Sequence, residues 1–262
     1  MRCSCYPCIK MSFSKRFSSV KTQLIIFLTG MAVLLSVKDK DPAFLFATFI
    51  AVTCAIAADS VISYLKSKKF TLTESSAISG LIIGFVLSSG QPAWVFLLAS
   101  FLAILSKHLL RIGNKHLFNP AAFGIFLLTI LLGANTQWKG TYLWYILLPA
   151  GLYFSYKIRK FEVLIGYSVT ALGLFAIQAI MQKVNLLNIF GYLSYFYIFI
   201  MVIEPKTTPL RPVGKVIFGI GVAALIFILT GAGVKFDTEL CALLVLNMSV
   251  PLLNKIPERG TR

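Results

Sequence analysis

The apolar residues of this chain are concentrated in about ten blocks that short polar connections separate. The blocks are residues 22–37, 43–65, 75–87, 93–106, 117–132, 142–156, 161–181, 186–203, 215–231 and 240–254. Several approach the ~20 residues that a helix needs to span the hydrocarbon of a bilayer, while those near about 15 are short for it. Backbone polar groups in lipid must bond within their own segment, so continuous apolar blocks favour helices over barrel strands. The pattern predicts an all-α polytopic membrane protein.

Composition supports this prediction, because 58% of the 262 residues are hydrophobic and only 13% are charged. Soluble domains carry roughly 25% charged residues. We therefore assign residues 21–255 to a single transmembrane domain, residues 1–20 to a cytoplasmic N-terminal segment and residues 256–262 to a cytoplasmic tail.

The basic residues predict the orientation of the chain. If the N-terminus is cytoplasmic and each block crosses once, most of the 25 lysines and arginines fall inside. The exceptions are Lys38, Lys40, Lys139, Lys183 and Lys235. Cytoplasmic loops are enriched in Lys and Arg, so both termini are predicted to lie in the cytoplasm and the chain in the inner (plasma) membrane. The net charge of +16 is thus explained by topology and not by nucleic-acid binding.

Ten helices divide into two sets of five, and an odd repeat duplicated in one chain must have inverted topology. The fifth block opens with Asn119-Pro120 and the tenth carries Asn247 and Pro251, a weak echo of such a repeat. The blocks 75–87 and 93–106 are short, and they are either two full crossings or a re-entrant pair of half-helices.

Three cysteines near the N-terminus form the pattern C-x-C-x-x-C, which supplies three ligands for zinc or iron–sulfur binding with no histidine nearby. They are Cys3, Cys5 and Cys8. We favour the alternative that translation starts at Met11. His108 and His116 are flanked by cations, so we expect no metal site.

One carboxylate, Asp59, lies inside the second block. A carboxylate at the centre of a membrane helix costs roughly 2.5–3.5 kcal/mol on insertion scales. Asp59 is therefore either part of an ion path or a structural partner of Ser60 or a loop lysine.

A polar turn ends the eighth block, where Pro205 and Pro209 enclose two threonines and follow Glu204. Helix-breaking prolines free backbone groups that a ligand or cation could use. Glu204, Thr207 and Thr208 are candidates for such a site, and an ordinary polar turn is the alternative.

A basic turn with Lys115 runs into Asn119-Pro120 at the start of the fifth block. Asn is a preferred N-cap and Pro suits the first turn, so a helix should begin here. Its N-terminus could receive an anion, or Asn119 could be a structural cap alone.

Four segments together resemble a known family. They are Glu74-Ser75-Ser76-Ala77-Ile78-Ser79-Gly80-Leu81 with Pro92-Ala93-Trp94; Gly113 with Lys115-His116-Leu117-Phe118-Asn119-Pro120-Ala121; Ile203-Glu204-Pro205-Lys206-Thr207-Thr208-Pro209 with Gly214-Lys215; and Leu246-Asn247 with Val250-Pro251-Leu252-Leu253. In this order they are similar to segments of the RnfD/NqrB family, the membrane subunits of the Rnf complex and of the sodium-pumping NADH:quinone oxidoreductase. The third resembles the family's T-D-P-x-T-S-P segment, with Ile203 and Glu204 in place of its threonine and aspartate.

The resemblance implies a ten-helix inverted repeat within a complex that couples electron transfer to sodium or proton translocation. Family members carry FMN on a threonine of an S-G-A-T motif between helices five and six. Here the corresponding loop, residues 133–141, is short and lacks that motif, and Thr136 and Thr141 are its only threonines. We therefore expect no covalent FMN in this chain.

The resulting expectation is a membrane subunit of an Rnf-like or Nqr-like electron-transport complex, a subunit of a membrane oxidoreductase. Its site residues would be Lys115, Asn119, Glu204, Thr207 and Thr208, with Asp59 on an ion route. It would bind a noncovalent flavin, FMN or riboflavin, and its partners would be other membrane subunits or a soluble flavin reductase. The alternatives are a flavin-free channel or carrier for a small solute and a membrane anchor for a soluble reductase.

Overall fold

The computed structural model describes residues 19–68, 73–113 and 115–257. Within these residues the chain forms nine α-helices, which are α1 Val20–Lys38, α2 Pro42–Ser67, α3 Glu74–Val86, α4 Ala93–Leu109, α5 Pro120–Leu132, α6 Trp144–Lys157, α7 Phe161–Met181, α8 Pro212–Gly231 and α9 Thr238–Leu253. A π-helical segment, Tyr197–Val202, lies between α7 and α8, and 3-10 turns cover Lys139–Leu143 and Leu186–Tyr192. A short hairpin, β1 Arg111–Ile112 and β2 Lys115–His116, precedes α5. The predicted all-α membrane architecture is confirmed.

The predicted N-terminal segment and C-terminal tail fall largely outside the described residues, as do Cys3, Cys5, Cys8 and Met11. Four of the described helices, α1, α2, α7 and α8, are long and apolar enough to cross a membrane by themselves. The other apolar helices are shorter, down to the 13 residues of α3 and α5. Large apolar side chains such as Phe46, Phe49 and Leu65 are exposed on the outside of the bundle, where lipid would cover them.

The helices run between two ends of the bundle. The Thr22 hydroxyl at the start of α1 donates to Glu74 at the start of α3 over 2.6 Å, which places both starts at one end. The Ser89 hydroxyl, between α3 and α4, donates to Asp41 at the start of α2 over 2.8 Å, which places these residues at the other end. We call the first the basic end; it is the predicted cytoplasmic side. Helices α3 and α4 therefore lie between the two ends of the bundle. The two alternatives for 75–106, full crossings and a re-entrant pair, stay predictions.

The two halves of the chain repeat one packing scheme. In the first half α2 packs against α4 and α4 against α5, and in the second half α7 packs against α8 and α8 against α9. Each half contributes five segments, α1–α5 and α6 to α9 with the π segment, so the second runs through the membrane in the opposite sense. Phe85 of α3 stacks on Phe196, just before the π segment, with ring centroids 5.1 Å apart. Helix α3 of the first repeat and the π segment, its equivalent in the second repeat, thus pack against each other at the centre of the bundle.

The eighth apolar block differs from the single helix that its composition predicts. Residues 186–192 form a 3-10 helix, Leu193 is extended, and a helix begins at Tyr195 and continues as the π segment from Tyr197. The Asn185 side chain accepts a hydrogen bond from the Leu187 amide over 2.9 Å. Such local side-chain bonds compete with helical ones, and we ascribe the late start of the helix to this turn.

Candidate functional site

A cavity of about 220 Å³ lies between the two repeats at the basic end. The N-terminal parts of α1 and α3, the end of α4, the start of α5, the end of α6 and the π segment with its following turn form its wall. Its apolar side comprises Leu24, Ile78, Ile82, Phe154, Phe199 and Ile200. Its polar lining residues are Lys21, Ser75, Ser79, Lys107, His116, Asn119, Glu204 and Lys206. Both repeats therefore contribute to one chamber, whose exposed wall is mainly apolar with a few polar groups.

Asn119 joins the repeats at the wall of this chamber. Its Oδ1 accepts a hydrogen bond from the Ala122 amide over 3.1 Å and so caps α5. Its Nδ2 donates to the carbonyl of Met201 in the π segment over 3.5 Å. The predicted cap is present, and the same side chain, 1% exposed, also lines the cavity.

Glu204 follows the π segment and is the single carboxylate among the described residues that line the cavity. Burial raises its pKa to about 7, although Thr207 and nearby lysines act in the opposite direction. A carboxyl group with such a pKa can take up or release a proton at neutral pH.

Thr207 and Thr208 lie behind Glu204 and not on the cavity wall. The Thr207 hydroxyl donates to Glu204 Oε2 over 3.3 Å, and the Thr208 hydroxyl donates to the Glu204 carbonyl over 2.8 Å. The Lys160 ammonium donates to the carbonyl of Pro209 over 2.7 Å and holds the other end of the turn. The two threonines thus position the turn that presents Glu204.

His116 and Lys206 lie side by side in the wall between the main cavity and a neighbouring one. The Lys107 carbonyl lies 3.2 Å from His116 Nδ1, and the Lys206 Nζ lies 3.4 Å from Nε2. Burial and the neighbouring cations lower the pKa of His116 to about 4, so the ring is neutral at pH 7. These partners assign the proton to Nδ1, which donates to the carbonyl, and make Nε2 the acceptor.

Asp59 is one side chain removed from the cavity. Lys107 and His108 of α4 lie 2.9 Å and 2.7 Å from its two carboxylate oxygens, and Thr73 also donates to it. Of the two predicted structural partners, Ser60 is not among these contacts. The lysine is Lys107, which the sequence places just after the fourth apolar block and which the structure includes in the last turn of α4. Lys107 in turn lines the cavity.

Lys115 is separated from Asn119 and Glu204. It lines a second cavity, of about 120 Å³, that lies on the other side of His116 and Lys206. The five predicted residues therefore divide into two on the main cavity, two behind it and one in the neighbouring cavity. Sequence reasoning missed Lys21 as a lining residue, and Lys206, although part of the polar turn that the sequence singled out, was not among the predicted site residues.

The loop that replaces the expected S-G-A-T segment is packed into the opposite end of the bundle. The Thr136 hydroxyl donates to Asp237 over 2.9 Å, and the Thr141 hydroxyl lies 3.4 Å from that of Ser194. The ring of Phe196 covers Gly140. Both threonines thus have side-chain partners within the fold.

Charge on the main cavity wall is unbalanced. Lys21, Lys107 and Lys206 face one carboxylate, and Lys107 already pairs with Asp59. The chamber is therefore suited to a ligand with a broad apolar surface and an edge of hydrogen-bond acceptors. In the described ranges, no three His, Cys, Asp or Glu side chains lie close enough together to hold a metal ion.

Comparison with known proteins gives one family. The model of the NQR2, RnfD, RnfE family matches residues 10–143 and, a second time, residues 140–261. The two matches coincide with the two structural halves. No curated protein matches the chain.

Proposed function

Since the chain belongs to the NQR2, RnfD, RnfE family of integral membrane subunits, we propose that it serves in an Rnf- or Nqr-like complex that couples electron transfer to ion translocation. Its partners would be other membrane subunits, with a soluble flavin reductase as electron donor at the basic end. The observation that carries the proposal is the mainly apolar chamber between the repeats with its few polar groups, which we propose binds a noncovalent flavin.

The residues of the chamber fit an isoalloxazine ring. Such a ring has an apolar benzenoid end and an edge of carbonyl oxygens and ring nitrogens, and the wall offers an apolar side and a polar side in the same way. Asn119 and Lys206 would hold the polar edge, and Phe154 and Phe199 the apolar end. A bound flavin would supply one- and two-electron transfer.

The protein's own groups would control charge at the site. Glu204, with a pKa of about 7, would hold or release a proton next to the ligand edge. The ammonium groups of Lys21 and Lys206 would stabilise negative charge there. The apolar side of the chamber would exclude water. Asp59 would hold the Lys107 side chain in place through their ion pair. We also propose that the Asp59 carboxylate lies on the route of the translocated ion.

The test is the visible spectrum of the protein purified in mild detergent with riboflavin present throughout, recorded before and after denaturation and filtration. We expect a flavin spectrum that is lost from the chain on denaturation. Asn119→Leu and Lys206→Met should lower flavin occupancy, whereas Lys255→Met, an exposed lysine at the same end, should not. A folded protein that acquires no flavin under these conditions would contradict the proposal. Flavin retained by the denatured chain would instead indicate covalent attachment.

A second candidate function, a channel or carrier for a small solute, is favoured by the position of Phe199. This side chain lines both the main cavity and a third cavity of about 660 Å³ nearer the opposite end. It is buried and seated against Gly151 of α6. Opening of this one ring would connect the two cavities. In proteoliposomes, Phe199→Ala would then raise solute permeability above that of wild type; equal permeability would exclude this function. The third reading, an anchor for a reductase, would leave both assays negative.

A further inference from the structure

The second cavity at the basic end has its own lining. The hairpin and the residue after it contribute Ile112, Lys115, His116 and Leu117, the turn after the π segment contributes Lys206, and α9 with its following residue contributes Asn247, Val250, Pro251 and Asn254. Its volume is about 120 Å³, whereas a single water occupies roughly 30 Å³ of liquid volume. The cavity can therefore hold a small polyatomic group.

Three polar atoms at this cavity are buried and have no hydrogen-bond partner among the described residues. They are Nζ of Lys115 and both Nδ2 and Oδ1 of Asn247. Asn247 is 0% exposed. Buried polar groups in native proteins are almost always paired with protein, water or ligand. These two side chains, one from each repeat, thus require a partner that enters the cavity.

The charge of the wall specifies what that partner is. Lys115 and Lys206 are cationic, and none of the described lining residues is acidic. The Asn254 Oδ1 already accepts from the Leu210 amide over 2.8 Å, and Nε2 of His116 faces Lys206. Burial lowers the pKa of Lys115, an effect that a bound anion would oppose. Water alone would leave the buried positive charge uncompensated.

Asn247 restricts the class of anion further, because its Nδ2 needs a hydrogen-bond acceptor and its Oδ1 needs a donor. Hydrogen phosphate offers acceptor oxygens for Lys115 Nζ and Asn247 Nδ2, and one hydroxyl that can donate to Asn247 Oδ1. We propose that the second cavity binds a phosphate-sized oxyanion, held by Lys115 and Asn247 with Lys206 as the second cation. This site does not depend on a flavin in the main cavity.

The same chemistry could come from inorganic phosphate or from the phosphate group of a monoester. His116 and Lys206 line both cavities, so a monoester could place its phosphate here and its body in the main cavity.

The experiment is equilibrium dialysis of the purified full-length protein against radiolabelled inorganic phosphate at pH 7, with chloride keeping the ionic strength constant. We expect one saturable site per chain. Lys115→Met and Asn247→Leu should each weaken binding about tenfold or more, the loss of one charge-assisted or buried hydrogen bond. Lys255→Met removes the same charge from an exposed position at the same end and should bind phosphate as wild type does.

Folding is monitored by thermal unfolding of each variant without phosphate. Asn247→Leu should be at least as stable as wild type, because it removes an unpartnered amide from the interior. A lack of saturable binding by wild type, or unchanged binding by both site variants, would overturn the proposal.

Competition distinguishes the two sources. Displacement of labelled phosphate by FMN but not by riboflavin would assign the site to a monoester, and displacement by neither would assign it to inorganic phosphate. Riboflavin lacks the phosphate, so its binding tests the main cavity alone.

Discussion

The Nζ atom of Lys107 lies 2.9 Å from Oδ2 of Asp59, and both side chains are buried between α4 and α2. The Nε2 atom of His108 lies 2.7 Å from the other carboxylate oxygen, Oδ1 of Asp59. A carboxylate within a membrane helix is thus compensated by the adjacent helix of the same repeat. Because Lys107 also lines the main cavity, this pair links the interior of the first repeat to the proposed ligand.

Loss of the carboxylate should destabilise the protein. Asp59→Asn leaves the Lys107 ammonium buried without its counter-charge, which typically costs about 3–5 kcal/mol. We expect a clear fall in the Tm of the detergent-solubilised protein. Asp59→Leu combined with Lys107→Met should recover part of this loss, since it removes both buried charges. The control is Asp39→Asn, a partly exposed carboxylate at the opposite end whose Oδ2 lies 3.8 Å from Lys139, which should cost less. A double variant no more stable than Asp59→Asn would contradict this account of the pair.

A close contact between α7 and α8 should be sensitive to a single methyl group. A Cβ at Gly219 would lie 2.7 Å from the backbone nitrogen of Tyr167, so the helices would have to separate. Such overpacking costs typically 1–3 kcal/mol. Gly219→Ala should therefore lower the Tm, while Gly231→Ala in the same helix, with no atom within 4 Å of its Cβ, should not. Equal Tm values for the two variants would show that the helices can separate at little cost.

The fold was largely predictable because membrane helices are specified by composition and length. The apolar blocks gave the crossings, and Asn119-Pro120 gave a helix start with a cap that the structure contains. The broken eighth segment was not predictable from its apolar composition. Its break depends on a local side-chain bond at Asn185 and on packing of the π segment between the two repeats.

The site was predictable only in part. Asn119 and Glu204 are polar residues at helix boundaries, a signal that sequence carries. Lys21 meets them only because the fold brings the start of α1 to the end of the π segment, whereas Lys206 lies two residues after Glu204 in the same turn. The separation of Lys115 from Asn119, four residues away in sequence, results from the turn of the hairpin toward α9.

Glu204 should make stability depend on pH near neutrality. Its pKa in the folded protein is about 7, above its ordinary value of 4.5, so the folded state binds more protons than the unfolded state between these values. The contribution of Glu204 to stability should therefore fall as pH rises from about 5 to 8, with one pKa unit corresponding to about 1.4 kcal/mol. His116 and Lys160, whose pKa values are lowered by burial to about 4 and about 7, contribute to stability in the opposite direction.

Tm measured across this pH range checks the effect. Relative to Glu204→Gln, which keeps the other titrating groups, wild type should lose Tm as pH rises. Glu162→Gln, which replaces a partly exposed carboxylate paired with Lys215, should keep the pH dependence of wild type. A Tm difference between wild type and Glu204→Gln that stays constant across the range would contradict the titration of Glu204.

Lys139, in the short loop at the opposite end, should stabilise the packing of this loop against the start of α2. The Lys139 side chain is 3% exposed and donates to Asp41 at the start of α2, and its Nζ lies 4.6 Å from the ring centroid of Phe44. Lys139→Met removes a hydrogen bond between charged groups, for which about 1.5–3 kcal/mol is typical. Its Tm should fall below that of Lys38→Met, an exposed lysine at the same end.

The pH dependence of this variant separates the charge from the packing of the lysine stem. Burial by itself would raise the pKa of Asp41, but hydrogen bonds from Lys139 and Ser89 outweigh it and lower the pKa below 3.8. The stabilisation from a lowered carboxyl pKa is present above the ordinary pKa and is lost as pH falls through the lowered one. Wild type should therefore lose stability below about pH 4, and the difference in Tm between wild type and Lys139→Met should shrink there. A difference that stays constant down to pH 3 would mean that Lys139 stabilises the loop through its apolar stem on Phe44 and not through Asp41.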